Sequence, residues 1–170
     1  KVLEDTDLLF SGTLELPPDF WDSHGQDMKS WKQDGRTLYK VNGPLCRNML
    51  VNEFVYLEPG PKTDKPFHAI VREGAGKSAV ISTRTDYSHQ KNAVWGITAR
   101  NREQNFALNL LMDPEIDFIT LLGQAGTGKT LLTLAAGLTQ TLETKLYSEI
   151  IITRVTVPVG EDIGFLPGTE

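Results

Sequence analysis

Apolar and polar positions divide the chain into two rhythms. Between residues 37 and 82, short runs of strand type at 37–41, 53–57, 67–72 and 78–82 alternate with turn clusters. The turns are Asn42-Gly43-Pro44, Pro59-Gly60-Pro61 and Glu73-Gly74-Ala75-Gly76. Ahead of them, Leu8-Leu9-Phe10 and Thr13-Leu14-Glu15-Leu16 predict an early strand over 3–16, broken at Gly12 and ended by Pro17-Pro18. Residues 19–35 are polar and turn-rich. Trp21 and Trp31 stand in that stretch, where covering the open end of a small core is favoured over stacking a base or a partner. Beyond a polar connection at 83–96 the period lengthens. Phe106, Ala107, Leu110 and Leu111 share one face of a helix over 98–112, stopped by Asp113-Pro114. A strand-length run at 117–122 follows, then Leu131, Leu134, Ala135, Leu138 and Leu142 at helical spacing. The unbroken Ile150-Ile151-Ile152-Thr153 reads as a strand buried on both faces, as in a parallel sheet. The tail from Pro158 is loop-rich. These patterns predict a small β-rich module with linker over 1–93. Over 94–170 they predict the first part of an α/β domain with a parallel sheet, incomplete at its C-terminal end.

The junction between that predicted strand and helix carries the chemistry. Gly123-Gln124-Ala125-Gly126-Thr127-Gly128-Lys129-Thr130 fits G-x-x-x-x-G-K-[ST], the phosphate-binding P-loop, at every fixed position. A triphosphate needs inward-pointing backbone N–H groups with no Cβ in the way, which Gly123, Gly126 and Gly128 permit. The start of the following helix adds unsatisfied N–H groups and the positive end of its dipole. Lys129 is placed to reach the β- and γ-phosphates and is the candidate catalytic residue, and the Thr130 hydroxyl is placed to ligate Mg²⁺. The alternative is an ordinary glycine turn, which the two flanks and all fixed positions disfavour. Gly76-Lys77-Ser78 ends like such a loop, but Val71 stands where the first glycine belongs and no helical pattern follows, so a hairpin turn is predicted. Asn101 and Gln104 have capping-box spacing. Arg154 closes the predicted last strand, on the edge where open α/β sheets bind ligands.

Composition narrows the class only a little. The chain of 170 residues has one cysteine, Cys46, so it holds no internal disulfide and is compatible with a reducing cytoplasm. No apolar run approaches membrane-spanning length. The net charge of −5 resides in residues 1–35, with eight carboxylates against three lysines. Global charge therefore does not announce a nucleic-acid binder. A locally basic stretch, Arg84, Lys91, Arg100 and Arg102, reads first as a solvated linker face.

Gly123–Thr130 with Arg154 and the run Pro158-Val159-Gly160-Glu161-Asp162-Ile163-Gly164-Phe165-Leu166-Pro167-Gly168 resembles the PhoH-type ATPases. Trp95-Gly96-Ile97, Arg100-Asn101-Arg102-Glu103-Gln104 and Asn52-Glu53-Phe54-Val55-Tyr56-Leu57 resemble the branch fused behind an N-terminal PIN ribonuclease domain. The resemblance is strong over 94–170 and weaker over 1–93. It implies a RecA-like core related to superfamily 1 helicases, in the cytoplasm, using ATP and Mg²⁺ on single-stranded RNA. The family's association with rings implies a homo-hexamer. By the same resemblance Gln104 matches the glutamine that reads adenine, a role compatible with capping. The segment after Arg154 matches where such motors touch the strand, although Val155 stands where proline is expected. The aspartate for Mg²⁺ and the water-orienting carboxylate have no good candidate. Glu161-Asp162 is poor because Pro158 and Gly160 break the strand before it. The chain therefore reads as the middle of a longer protein, nearly inactive without its missing N- and C-terminal parts. The competing classes are a nucleotide-binding switch or assembly module that does no work on RNA and, less favoured, a P-loop kinase.

Overall fold

The computed structural model describes residues 11–61 and 64–155. The early strand's Leu8-Leu9-Phe10 and the tail's Pro158–Gly168 signature, Glu161-Asp162 included, lie outside the described residues. The elements in order are β1 (Thr13–Glu15), α1 (Phe20–His24), β2 (Lys29–Gln33), β3 (Arg36–Asn42), β4 (Phe54–Leu57), β5 (Phe67–Ala75), β6 (Ser78–Thr83), α2 (Arg102–Leu111) and α3 (Lys129–Leu138). All six strands join one sheet in the order β1-β4-β5-β6-β3-β2, antiparallel except for the β1–β4 pair. The four strands read from residues 37–82 are all present. The stretch at 19–35 is more ordered than its polarity suggests, since it supplies α1 and the edge strand β2. Backbone pairing with β3 stabilises β2 without any apolar alternation, because all five of its side chains are exposed. Gly76 takes φ +64 at the β5–β6 turn, so Gly76-Lys77-Ser78 is the hairpin that its context predicts.

Period-two alternation gives this sheet two distinct faces. On one face Val55, Ala69, Val71, Ile81 and Val41 meet Leu16, Phe20, Cys46 and Met49 in the main core. Trp21 closes that core edge-on against Phe20, Tyr39 and Phe67, which bears out the covering role for this tryptophan. Trp31 instead lies exposed on β2. On the other face Phe54 and Ile70 are covered by α2, with the Phe106 ring stacked on Phe54 at 4.2 Å.

Two asparagines hold the connection between sheet and helix. Asn105 and Asn109 are one turn apart on α2 and both buried. Asn109 accepts from Thr85 N at 3.1 Å and donates to Thr85 O at 2.8 Å, while Asn105 accepts from Tyr87 N at 2.8 Å. An extended linker thereby satisfies its backbone on side chains instead of a neighbouring strand. The basic stretch is correspondingly not one solvated face. Arg84 is buried beside Asp113, and Arg102 lies 3.7 Å over the Tyr56 ring. Each found an opposite charge or a ring in three dimensions that lies distant in sequence.

The predicted parallel sheet is not formed among the described residues. Residues 117–122 and 150–155 form neither strand nor helix and pair with no described strand, and Phe118, Leu122, Ile151 and Ile152 are largely exposed. The chain is a mixed α/β protein whose sheet, among the described residues, is the mostly antiparallel one. An apolar run becomes a strand only when a neighbour takes up its N–H and C=O groups, and neither run has one among the described residues. For the same reason α3 buries Leu132, Ala135 and Ala136 against Leu108, Val94 and Ala99 but leaves Leu131 and Leu134 exposed. Leu142 falls beyond α3 in a π-helical turn, Thr139–Glu143. No helix among the described residues is long and apolar enough to cross a membrane.

Candidate functional site

The glycine loop connects residues 117–122 to α3. Gly126 and Gly128 take φ +82 and +89, a left-handed backbone that side chains with a Cβ disfavour. Gly123 is needed for room, because a Cβ there would lie 3.3 Å from Thr127 Oγ1. The loop folds around its own lysine. Lys129 Nζ donates to Gly123 O at 2.7 Å, Gln124 O at 2.6 Å and Thr127 Oγ1 at 3.2 Å, and Thr127 Oγ1 donates to Gln124 O at 2.9 Å. A primary ammonium thus sits inside a ring of loop oxygens at the first turn of α3, where helix N–H groups remain free for an anion. Ala125 lies exposed on the same loop, and Thr130 is exposed on the first turn of α3.

Gln104 joins this loop from outside. Asn101 caps α2 by accepting from Gln104 N at 2.9 Å, as the capping-box spacing predicts. The reciprocal bond runs from Arg100 N to Gln104 Oε1 at 2.9 Å, one residue before the cap. The other end of the same amide, Nε2, donates to Thr127 O at 3.1 Å. It also crowds Gly128, where a Cβ would lie 3.1 Å from it. One side chain therefore bridges α2 and the loop, with one donor and one acceptor at the loop's rim. A buried glutamine that the residue pattern does not single out does similar work at the far end. Gln140 Nε2 donates to Leu111 O and Ala136 O, both at 3.0 Å, tying the end of α3 to the end of α2. Flanked by Thr139 and Thr141, it carries no distinguishing signal in the sequence.

Arg154 is exposed, lies in no strand and makes no hydrogen bond or ion pair with the described residues. Among the described residues no group of three or more His, Cys, Asp or Glu side chains could hold a metal ion.

The structure is thus a mixed α/β protein with a lysine enclosed by a left-handed glycine loop at a helix N-terminus and a glutamine amide at the loop's rim. Residues 96–170, which contain the loop, belong to the PhoH-like protein family. The chain is similar to Protein PhoH2 of Bacillus subtilis, 53% identical over 96 residues, which are 56% of this chain and 21% of that protein. Similarity to Protein PhoH2 of Mycolicibacterium smegmatis runs through the β-rich part as well. It amounts to 38% identity over 166 residues, 94% of this chain and 37% of that protein. A PhoH-like protein of Mycobacterium leprae is 52% identical over 48 residues, 28% of this chain and 14% of its own length. The chain thus spans well under half the length of these curated relatives. No solved structure matches it significantly.

Proposed function

We propose that the loop 123–130 binds ATP with Mg²⁺, and that the whole protein is an ATP hydrolase that remodels single-stranded RNA. The observation that carries the nucleotide reading is the position of Lys129 Nζ among the oxygens of Gly123, Gln124 and Thr127. The residues suit the group. Incoming phosphate oxygens replace those carbonyls as acceptors for Nζ, and the free N–H groups of the α3 first turn meet the remaining charge. Charge-assisted bonds contribute about 1.5–3 kcal/mol each, so a few of them support micromolar binding. Thr130 would ligate Mg²⁺, whose role is to neutralise charge on the transferred phosphoryl group. Gln104 offers an acceptor and two donors at the rim, matching the N6 and N7 edge of adenine.

The RNA part of the reading rests on the resemblance of residues 94–170 to PhoH-type ATPases. So do coupling to a PIN ribonuclease domain, a homo-hexameric ring, cytoplasmic location and a strand contact at Arg154. A nucleotide-binding switch is the second reading. It is favoured by the Gln104 bridge, through which a change in the loop would reach α2 and the sheet. Two experiments test these statements. In the full-length protein, Lys129→Ala should abolish binding of a fluorescent ATP analogue, and unchanged affinity would remove the loop as the phosphate site. RNA-stimulated phosphate release favours the motor, and equal release with and without RNA favours the switch.

A further inference from the structure

A cavity of about 410 Å³ opens between the sheet rim and the first turn of α2. Its walls come from the start of β5, the residues after β6 and the entry to α2. We propose that it is a second binding site, taking one nucleotide unit with its phosphate on arginines and its base against the His68 ring. Three arginines line it, Arg84, Arg100 and Arg102, the last already paired with Glu58 and Glu103, against a single lining carboxylate, Asp86. That carboxylate is already engaged. Ser88 donates to Asp86 Oδ1 through N at 2.9 Å and Oγ at 2.6 Å, and His89 Nε2 lies 3.2 Å from Oδ2.

Arg84 is the least expected member. Its side chain is only 2% exposed, it reaches Asp113 at a long 3.4 Å, and its Nε meets no acceptor among the described residues. A buried guanidinium with a donor left over is costly unless something supplies an acceptor. Arg100 is exposed and in no ion pair with the described residues, so its charge is available at the mouth. The Asn101 cap takes the Gln104 N–H and leaves earlier N–H groups of α2, with the positive end of its dipole, facing the same region. His68 adds a ring face, whereas the Phe67 ring belongs to the main core on the opposite side of β5, and burial keeps the His68 imidazole biased towards its neutral form. Cations beside aromatic faces accept a phosphate and a base without base-specific readout. The lining does not overlap the phosphate loop, since neither Gln104 nor any residue of 123–130 contributes to it.

The unit could come from a free mononucleotide or from a single strand, and one set of titrations separates them. Fluorescein-labelled decauridylate is titrated by anisotropy into the 170-residue chain at low salt, for the parent, Arg100→Glu, Lys77→Glu and Lys129→Ala. Lys77 is an exposed control at the far hairpin. Arg100→Glu should weaken binding at least tenfold and lower the logarithmic salt slope by about 0.7 for each phosphate no longer neutralised. Lys77→Glu should bind like the parent, and Lys129→Ala should keep the same dependence on Arg100. Uridine monophosphate that competes at equal nucleotide concentration assigns the site to free nucleotides, and failure to compete assigns it to a strand. No binding by the parent, an Arg100→Glu curve matching the parent, or an equal loss in Lys77→Glu overturns the proposal. Loss in Lys129→Ala alone also overturns it, by placing the binding at the loop. Because Lys129→Ala separates the two sites, this proposal and the ATP reading fail independently.

Discussion

Replacing Gln104 by alanine separates the two jobs that this residue can do. The amide makes two bonds to backbone, Arg100 N to Oε1 and Nε2 to Thr127 O, and the residue is half-buried. Neutral hydrogen bonds contribute about 0.5–1.5 kcal/mol each, and the lower end applies where water can replace the partner. The Asn101 cap survives, because it uses the Gln104 backbone N–H. The expected loss of stability is therefore about 1 kcal/mol, measured as a shift in urea midpoint at constant slope. Adenine recognition would add a nucleotide-specific effect. One polar contact is worth about 1–2 kcal/mol, or about 5–30-fold in ATP affinity, since about 1.4 kcal/mol is tenfold. GTP, which lacks the N6 donor and presents O6 instead, should be almost unaffected. Competition titrations of ATP and GTP against a fluorescent analogue, on parent and variant full-length protein, measure both. Equal weakening of the two nucleotides refutes base recognition and leaves Gln104 as a strut between α2 and the loop.

Further predictions concern turnover, the linker and pH. The 170-residue chain should release phosphate no faster than its Lys129→Ala variant, because Nζ bonds to loop oxygens and no described carboxylate joins it; clear turnover above that blank would refute this. Asn109→Ala should cost about 2–4 kcal/mol by urea unfolding, since it removes both bonds to Thr85 and strands part-buried backbone; a loss below about 0.5 kcal/mol would show that water replaces them. Burial, with Arg102 adding to it and Glu58 opposing it, holds His68 below the usual histidine range. The unfolded chain then takes up the proton first, so this stability is present above about pH 6.5 and declines as pH falls through the folded value. His68→Gln should flatten the urea midpoint between about pH 7 and 5, and an unchanged pH profile would contradict it.

Residue pattern alone determined much of this protein. Four strands of the sheet, the hairpin at Gly76, the α2 cap at Asn101 and the loop 123–130 follow from local rules of period, turn chemistry and spacing, which neighbours in sequence enforce. The buried contribution of Trp21 was readable for the same reason, as an aromatic beside a strand-rich core. Tertiary structure decided what local rules cannot reach. Arg84 reads as a solvated linker charge until Asp113 is brought beside it across 29 positions. Asn105 and Asn109 read as ordinary polar helix residues until the linker lays its backbone along them. Edge strand β2 has no apolar alternation and exists because β3 offers it hydrogen bonds. The opposite holds for 117–122 and 150–155, whose apolar sequences suit strands while no described neighbour pairs with them. A strand is a property of a pair, and composition specifies only one member of it.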